Sequence, residues 1–233
     1  IFFTYGISLK NWKDTGLLDR EIRLYKYLIE NFGLDITFVT FGDQNDEEIL
    51  INENIKVIPI YKYFKKSRSN IIEILKSLYY PRRLKSKIDF SNSILKTNQL
   101  WGSWIPIIAK IFYGQPLIVR TGYDLITFKK NEKKSKLKIF LYKSLTYFAL
   151  RYSNNYIVTS EADKNFLKNT FKKHTEKIKM IPNWIEIKNF SKKERFENKI
   201  ISVGRLEKQK NFEHLISSFK DENIELDIYG EGS

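Results

Sequence analysis

Short apolar runs alternate with helix-length amphipathic segments along nearly the whole of this 233-residue chain. Strands are predicted at 1–5, 35–40, 55–58, 93–97, 117–121, 156–159, 177–181, 200–203 and 225–229. Helices are predicted at 17–31, 70–84, 103–112, 136–152, 161–170 and 212–219. Short strands separated by helices are typical of parallel sheets covered by helices. The sequence therefore predicts an α/β protein.

The segment 200–219 combines a strand, a basic loop and a helix. A β-branched run ends at Gly204, Arg205 and Lys210 follow on a short loop, and an apolar-periodic segment begins at Phe212. Backbone N–H groups and the helix dipole favour an anion at such a helix start. Because a guanidinium grips phosphate oxygens bidentately and an ammonium acts as a point charge, the two cations suit a diphosphate.

This segment resembles the donor-phosphate loop of retaining nucleotide-sugar glycosyltransferases of the GT-B fold, specifically glycosyltransferase family 4. The family has a strand, then G-R, four residues, K and a helix, and Gly204, Arg205 and Lys210 fit that spacing. Further similar segments occur in the family's order, namely T-G-L-L-D-R-E at 15–21, I-V-T-S-E-A-D at 157–163, K-M-I-P-N-W-I at 179–185 and I-Y-G-E-G at 228–232.

The resemblance implies a GT-B architecture of two Rossmann-like domains, each a doubly wound parallel sheet. Residues 1–181 would form the N-terminal, acceptor-side domain, 182–198 the linker, and 199–233 the start of the C-terminal domain that binds the nucleotide sugar. The family's E-x7-E motif, whose glutamates serve the donor sugar and ribose, would lie downstream of Ser233. We therefore expect only part of the second domain in this chain.

The resemblance also assigns roles on the donor side. Arg205 and Lys210 are the expected catalytic residues, since they would stabilise the charge that develops on the leaving diphosphate. Donor-binding roles fall on Gly16, Gly204, Gly230 and Glu231. Gly16 precedes the first long helix, where a glycine would let the backbone approach the donor phosphates. A plain glycine at a helix start is the alternative explanation of Gly16.

The acceptor side departs from the family pattern. The family often carries a His after the strand that follows a Pro, and here the sequence P-L-I-V-R-T-G-Y-D places Arg120 or Thr121 at that point. The role of that His is therefore not carried over. Arg120, Thr121 and Asp124 lie at the carboxyl end of a predicted strand, where open α/β sheets bind ligands. A loop ion pair explains Arg120 and Asp124 equally well.

No metal and no cofactor are expected beyond the nucleotide-diphosphate sugar itself, which is a substrate. The chain has no cysteine, which excludes disulfides, thiolate metal sites and cysteine nucleophiles. It also lacks the D-x-D pattern of metal-dependent GT-A enzymes, and His174 and His214 have no ligand partners at useful spacing. A metal-independent transfer with retention of configuration is implied by the resemblance alone.

The net charge of +14 is concentrated in two basic segments. Residues 61–87 carry nine basic side chains and one acid, and residues 129–143 carry seven and one. Large apolar residues are interleaved with both sets, as in helices that lie on anionic membrane surfaces. Two amphipathic helices with solvated basic faces and buried apolar residues are the other interpretation, and both stay open. Nucleic acid is not an expected partner, because neither zinc-finger spacing nor an RNA-recognition signature is present.

These observations favour a glycosyltransferase that moves a sugar from a nucleotide-diphosphate donor to a glycan or lipid-linked acceptor. Cell-surface polysaccharide or glycolipid synthesis at the cytoplasmic face of a membrane, with the enzyme bound peripherally, fits the charge pattern. The alternative is a catalytically inactive, glycosyltransferase-like module that docks on membranes or anionic polymers. A basic nucleic-acid-binding α/β domain is a weaker third hypothesis, and it requires salt-sensitive binding to oligonucleotides.

Overall fold

The computed structural model describes residues 1–122, 136–185, 197–220 and 223–232. The chain divides into two compact units, Ile1–Ile185 and Glu186–Ser233. Every strand pair described in either unit is parallel, which confirms the α/β fold class predicted from the sequence.

The first unit contains two parallel sheets that Phe2 joins. One sheet pairs β1 (Ile36–Thr40) with β2 (Ile55–Pro59), and the other has the order β3 (Leu95–Lys96), β4 (Leu117–Arg120), β5 (Asn155–Val158) and β6 (Ile178–Met180). Phe2 makes parallel bridges to both Val39 and Thr97. The strand predicted at 1–5 is therefore too long. The chain leaves the sheet at Thr4, whose carbonyl accepts a hydrogen bond from the backbone N–H of Ile7 at 2.9 Å.

Helices of the first unit connect and cover these strands. They are α1 (Leu9–Asp14), α2 (Leu18–Phe32), α3 (Asn45–Ile49), α4 (Ile60–Tyr63), α5 (Asn70–Ser77), α6 (Tyr80–Leu84), α7 (Trp104–Tyr113), α8 (Lys136–Tyr152) and α9 (Glu161–Thr170), with a 3₁₀ turn at Thr175–Lys177. The single helix predicted at 70–84 is wrong. Pro81 has no N–H to donate to Ser77, so the first helix ends there and a second begins at Tyr80.

Successive residues of the first unit's central strands point into two different cores. Phe2 and Val39 belong to a larger core that includes Leu117, Val119, Tyr156 and Val158. Their chain neighbours Phe3 and Phe38 belong to a smaller core with Trp12 and Tyr25 of α1 and α2. Because side chains alternate across a strand, the sheet lies between these cores. This is the doubly wound arrangement that the sequence predicts.

A buried carboxylate fixes the start of α1. Asp46, which is buried, accepts hydrogen bonds from the backbone N–H groups of Leu9 at 2.9 Å and Lys10 at 3.1 Å, and from the Thr40 hydroxyl at 2.6 Å. A Cβ atom at Gly42 would lie 2.1 Å from the Asp46 carboxylate, so only glycine leaves room for this cap. Asp46 thus ties α1 to the end of β1.

The second unit is a strand–helix–strand motif. It consists of β7 (Lys199–Val203), a 3₁₀ turn at Lys208–Lys210, α10 (Phe212–Ser218) and β8 (Glu225–Tyr229). The two strands pair in parallel, with Lys199 opposite Glu225. The ammonium of Lys199 contacts the carboxylates of Glu225 and Asp227, each at 2.9 Å.

Candidate functional site

The loops that follow β7 and β8 run side by side beyond the ends of their strands. The backbone N–H of Gly204 donates to the carbonyl of Tyr229 at 3.0 Å, and the N–H of Leu206 donates to the carbonyl of Glu231 at 2.9 Å. The parallel pairing therefore continues past the sheet. It places the predicted residues Gly204, Gly230 and Glu231 next to each other at the carboxyl edge.

Close backbone contact explains the glycines of the second loop. A Cβ atom at position 230 would lie 1.8 Å from the carbonyl oxygen of Gly204, and one at position 232 would lie 2.4 Å from that of Leu206. Neither distance is possible for a side chain, so glycine is required at both positions. The G-E-G sequence is thus explained by the approach of one backbone to the other.

Lys210 folds back over Gly204. A Cβ atom at Gly204 would lie 3.7 Å from Cδ and 3.8 Å from Cε of Lys210, so the lysine stem covers the glycine. The 3₁₀ turn directs the chain there, with the N–H of Lys210 donating to the carbonyl of Glu207 at 2.8 Å. Asn211 follows in the left-handed region, with φ of 53°, as its tolerance of that conformation predicts.

Arg205 lies on the same loop, with its guanidinium in an exposed ion pair. Its Nη1 is 2.7 Å from the Glu207 carboxylate, and the arginine side chain is 71% exposed. Exposed ion pairs contribute about 0–1 kcal/mol. The guanidinium can therefore exchange Glu207 for a stronger anion such as a phosphate at little cost.

Gly16 ends α1 rather than beginning α2. It has φ of 67°, its N–H donates to the carbonyl of Lys13 at 3.1 Å, and the N–H of Leu17 donates to that of Trp12 at 2.8 Å. This pair of bonds is the Schellman arrangement that closes a helix with a left-handed residue. The conformation of Gly16 follows from this turn, and its role in donor binding stays a prediction.

Arg120 ends β4 and Thr121 directly follows it, while Asp124 lies outside the described residues. Thr121 is only 2% exposed, and its N–H donates to the carbonyl of Ile157 at 2.9 Å. Arg120 is partly exposed, and its guanidinium donates a hydrogen bond to the side-chain oxygen of Asn183. Of the two described acceptor-side residues, Arg120 is the one whose polar group faces outward.

Three residues beside Arg120 are not predicted from the sequence as part of a site. The ammonium of Lys96 donates to the Tyr25 hydroxyl at 2.9 Å, and that hydroxyl donates to Oδ1 of Asn98 at 3.1 Å. Burial and the neighbouring charge of Arg120 lower the pKa of Lys96 to about 8. Burial also raises the pKa of Tyr25. No pattern in the sequence indicates this group, because Tyr25 lies in α2 and the other two residues lie at or just after the end of β3.

Helix α5 has an inverted face within the basic segment 61–87. Its buried residues are Glu73, only 3% exposed, and Ser77, whereas Ile71 is 73% exposed. Glu73 accepts hydrogen bonds from the N–H of Ser67 at 2.6 Å and from the Tyr80 hydroxyl. Ile72 and Leu75 of the same helix are also exposed, as are Leu78 and Tyr79, which follow it. Three apolar residues of α5, Ile71, Ile72 and Leu75, therefore point to the surface, whereas Tyr61, Phe64 and Tyr80 of the same basic segment pack into the larger core.

An open cavity of about 360 Å³ lies beside this helix and is lined by Tyr63, Phe64, Lys65, Lys76, Tyr79, Tyr80 and Arg83. Among the described residues, no helix is long and apolar enough to cross a membrane. Within the same ranges, no group of three or more His, Cys, Asp or Glu side chains is placed to bind a metal ion.

Comparisons with known proteins agree with this architecture at the level of the fold. No protein family matches the chain by its sequence profile, and no curated protein matches it. Among solved structures, the apo form of WaaB, a galactosyltransferase of the lipopolysaccharide outer core, aligns over 100% of this chain at 18% identity and a TM-score of 0.63. Anabaena HepE in complex with UDP aligns over 100% at 13% identity and a TM-score of 0.62.

TarM aligns over 67% of this chain at 20% identity and a TM-score of 0.50. The chain carries part of a GT-B fold. It spans 60% of the length of WaaB and HepE and 31% of that of TarM. The GT-B fold predicted from the ordered motifs is thereby confirmed.

Proposed function

We propose that this chain belongs to a glycosyltransferase that takes a sugar from a nucleotide-diphosphate donor. The observation that carries the proposal is the second unit's loop pair, in which Lys210 covers Gly204 and the G-E-G loop packs against the same backbone. The arrangement offers an ammonium and a weakly held guanidinium at one sheet edge, on the loop that leads into α10. Two such cations suit a diphosphate.

The proposed domain assignment follows the same reasoning. Residues 1–181 form the acceptor-side domain, 182–198 the linker, and 199–233 the start of the donor domain. The division between the two compact units falls after Ile185, inside the proposed linker, which supports this assignment. Residues 186–196 of that linker lie outside the described ranges.

Arg205 and Lys210 would act on the leaving group. Negative charge develops on the diphosphate as the glycosidic bond breaks, and fixed cations at that point stabilise the transition state more than the ground state. We infer that Arg205 leaves Glu207 and grips phosphate oxygens, while Lys210 supplies a point charge. The G-R-x4-K spacing supports a family 4 enzyme that retains configuration without a metal ion.

The direct test is sugar transfer or donor hydrolysis by the full-length protein and its variants. R205A and K210A should each lower kcat by at least a hundredfold, as the loss of one transition-state contact typically does. K208A is the matched control, since Lys208 lies in the same turn and has no proposed role. Equal activity in all four folded proteins would refute the assignment.

We also propose that the first unit docks on an anionic membrane surface, where a lipid-linked or glycan acceptor would be reached. The support is the inverted face of α5, held by the buried Glu73, and the basic cavity beside it. The described part of the second basic segment has the same character, because Leu137, Phe140 and Leu141 of α8 are exposed. Apolar side chains among cations suit the interface of an anionic bilayer.

A further inference from the structure

Two cationic side chains lie on one face of the first unit's four-stranded sheet, at its carboxyl edge. Lys96 ends β3 and is opposite Ile118 of β4, two residues before Arg120. Because side chains alternate along a strand, Lys96 and Arg120 lie on the same face, and Asn98 follows on that face next to Arg120. All three belong to the first unit, whereas the proposed donor loop, residues 204–210, belongs to the second.

The buried amide of Asn98 has an unmet hydrogen-bonding group. Asn98 is only 7% exposed, and its Oδ1 accepts from Tyr25, but its Nδ2 has no partner among the described residues. A buried N–H group without an acceptor costs about 1–3 kcal/mol. An acceptor that the chain does not supply would remove this cost.

Neither of the two cations forms an ion pair with a carboxylate in the described part of the chain. Lys96 donates to the neutral Tyr25 hydroxyl and Arg120 to the neutral amide of Asn183. Glu21, whose charge acts on Lys96, is held by Arg20 at 2.6 Å. Burial and, after it, the positive charge of Arg120 lower the pKa of Lys96, so an anion beside Lys96 would be favourable.

We propose that Lys96, Arg120 and the side-chain amide of Asn98 form a binding site for a phosphate group. A phosphate brings up to two negative charges and several acceptor oxygens, so it matches two cations and one unmet amide donor. A carboxylate would supply one charge and fewer acceptors. In the intact enzyme this phosphate would belong to the acceptor, and that step rests on the proposed function.

The probe is inorganic phosphate, titrated calorimetrically against a chloride buffer of matched ionic strength. Because the donor loop also suits phosphate, the reference protein carries R205A and K210A. We expect saturable phosphate binding in this reference and at least a tenfold loss of affinity on adding K96M or R120Q. Adding K168Q, which removes an exposed charge of α9, should leave the phosphate affinity unchanged. Circular dichroism and thermal unfolding of each protein establish that a loss is not unfolding.

Equal phosphate affinity in the folded K96M, R120Q and K168Q proteins, or no saturable binding in the reference, would overturn the proposal. Acetate that binds more tightly than phosphate would overturn it too, because the site would then be a carboxylate site. The two proposals fail separately. The phosphate titration uses a protein without Arg205 and Lys210, whereas nucleotide binding is measured with both residues intact. A negative result in either measurement therefore leaves the other one informative.

Discussion

The carbonyl oxygen of Gly204 lies where a side chain at Gly230 would begin, 1.8 Å from the position of a Cβ atom. The two loops are therefore packed against each other and are not independent turns. The backbone hydrogen bonds from Gly204 to Tyr229 and from Leu206 to Glu231 hold them at this distance.

Replacing Gly230 by Ala should force the two loops apart. The hydrogen bond from Gly204 N–H to the Tyr229 carbonyl would weaken, and overpacking of this kind costs about 1–3 kcal/mol. Hydrogen exchange at the amides of Gly204 and Leu206 should accelerate by about tenfold or more. Ser217→Ala, on exposed α10, is the control. Unchanged exchange in G230A would show that the loops are not coupled.

Replacing Asp46 by Ala should destabilise the first unit. The change leaves the N–H groups of Leu9 and Lys10 without their carboxylate, and hydrogen bonds to a charged group contribute about 1.5–3 kcal/mol. Denaturant unfolding followed by tryptophan fluorescence measures the change, since Trp12 lies in α1. Asp14→Ala, which breaks only an exposed pair with Lys10, should cost under about 1 kcal/mol. Similar losses in both variants would contradict the capping role.

The exposed face of α5 should govern membrane binding. The double variant I71Q/L75Q should reduce binding to vesicles of phosphatidylcholine and phosphatidylserine by at least tenfold, since burying each apolar side chain contributes about 1.5–3 kcal/mol. Sedimentation with vesicles measures the fraction of protein bound. Ile51→Gln is the control, because Ile51 is equally exposed but lies outside the basic segment. Equal losses in the two proteins, or equal binding to uncharged vesicles, would contradict the docking surface.

Lys96 should make stability depend on pH in a defined window. Its pKa is about 8 in the folded chain against an ordinary 10.5, so the unfolded chain binds more protons between these values. The free energy of unfolding therefore rises with pH across that window. K96M should be more stable than the parent at pH 7, by up to about 3 kcal/mol.

The advantage of K96M should shrink towards zero as the pH approaches 10.5, and K168Q should show no such trend. Denaturant unfolding at several pH values in phosphate-free buffer measures both. An advantage that stays constant with pH would mean that Lys96 keeps its ordinary pKa.

The strands and long helices could be predicted from the sequence because their apolar periodicity is strong. The bounds of α8 and α9 agree with prediction, and strands differ by one or two residues at most ends. Short helices such as α1, α3 and α4 were missed, since a single turn or two carries too little periodicity. The start of α1 depends in part on a distant group, since Asp46 accepts hydrogen bonds from the N–H groups of Leu9 and Lys10.

The two candidate sites also differ in how far the sequence predicts them. The loop proposed to bind the donor, residues 204–210, is local in sequence, so spacing alone indicates Gly204, Arg205 and Lys210. The placement of Lys96 on the same face as Arg120 arises from strand register, and the burial of the Asn98 amide arises from packing against α2. Neither relationship leaves a pattern in a single sequence.

The most direct measurement is a thermal-shift screen of the full-length protein with UDP, GDP, ADP and CMP, run in parallel on R205A, K210A and K208A. A ligand that binds only the folded state stabilises it by RT ln(1 + [L]/Kd), which raises the melting temperature. The proposed function predicts that one nucleoside diphosphate stabilises the parent and K208A, and that this shift disappears in R205A and K210A. A well-folded protein that no nucleotide stabilises would contradict it and favour the docking module without catalysis.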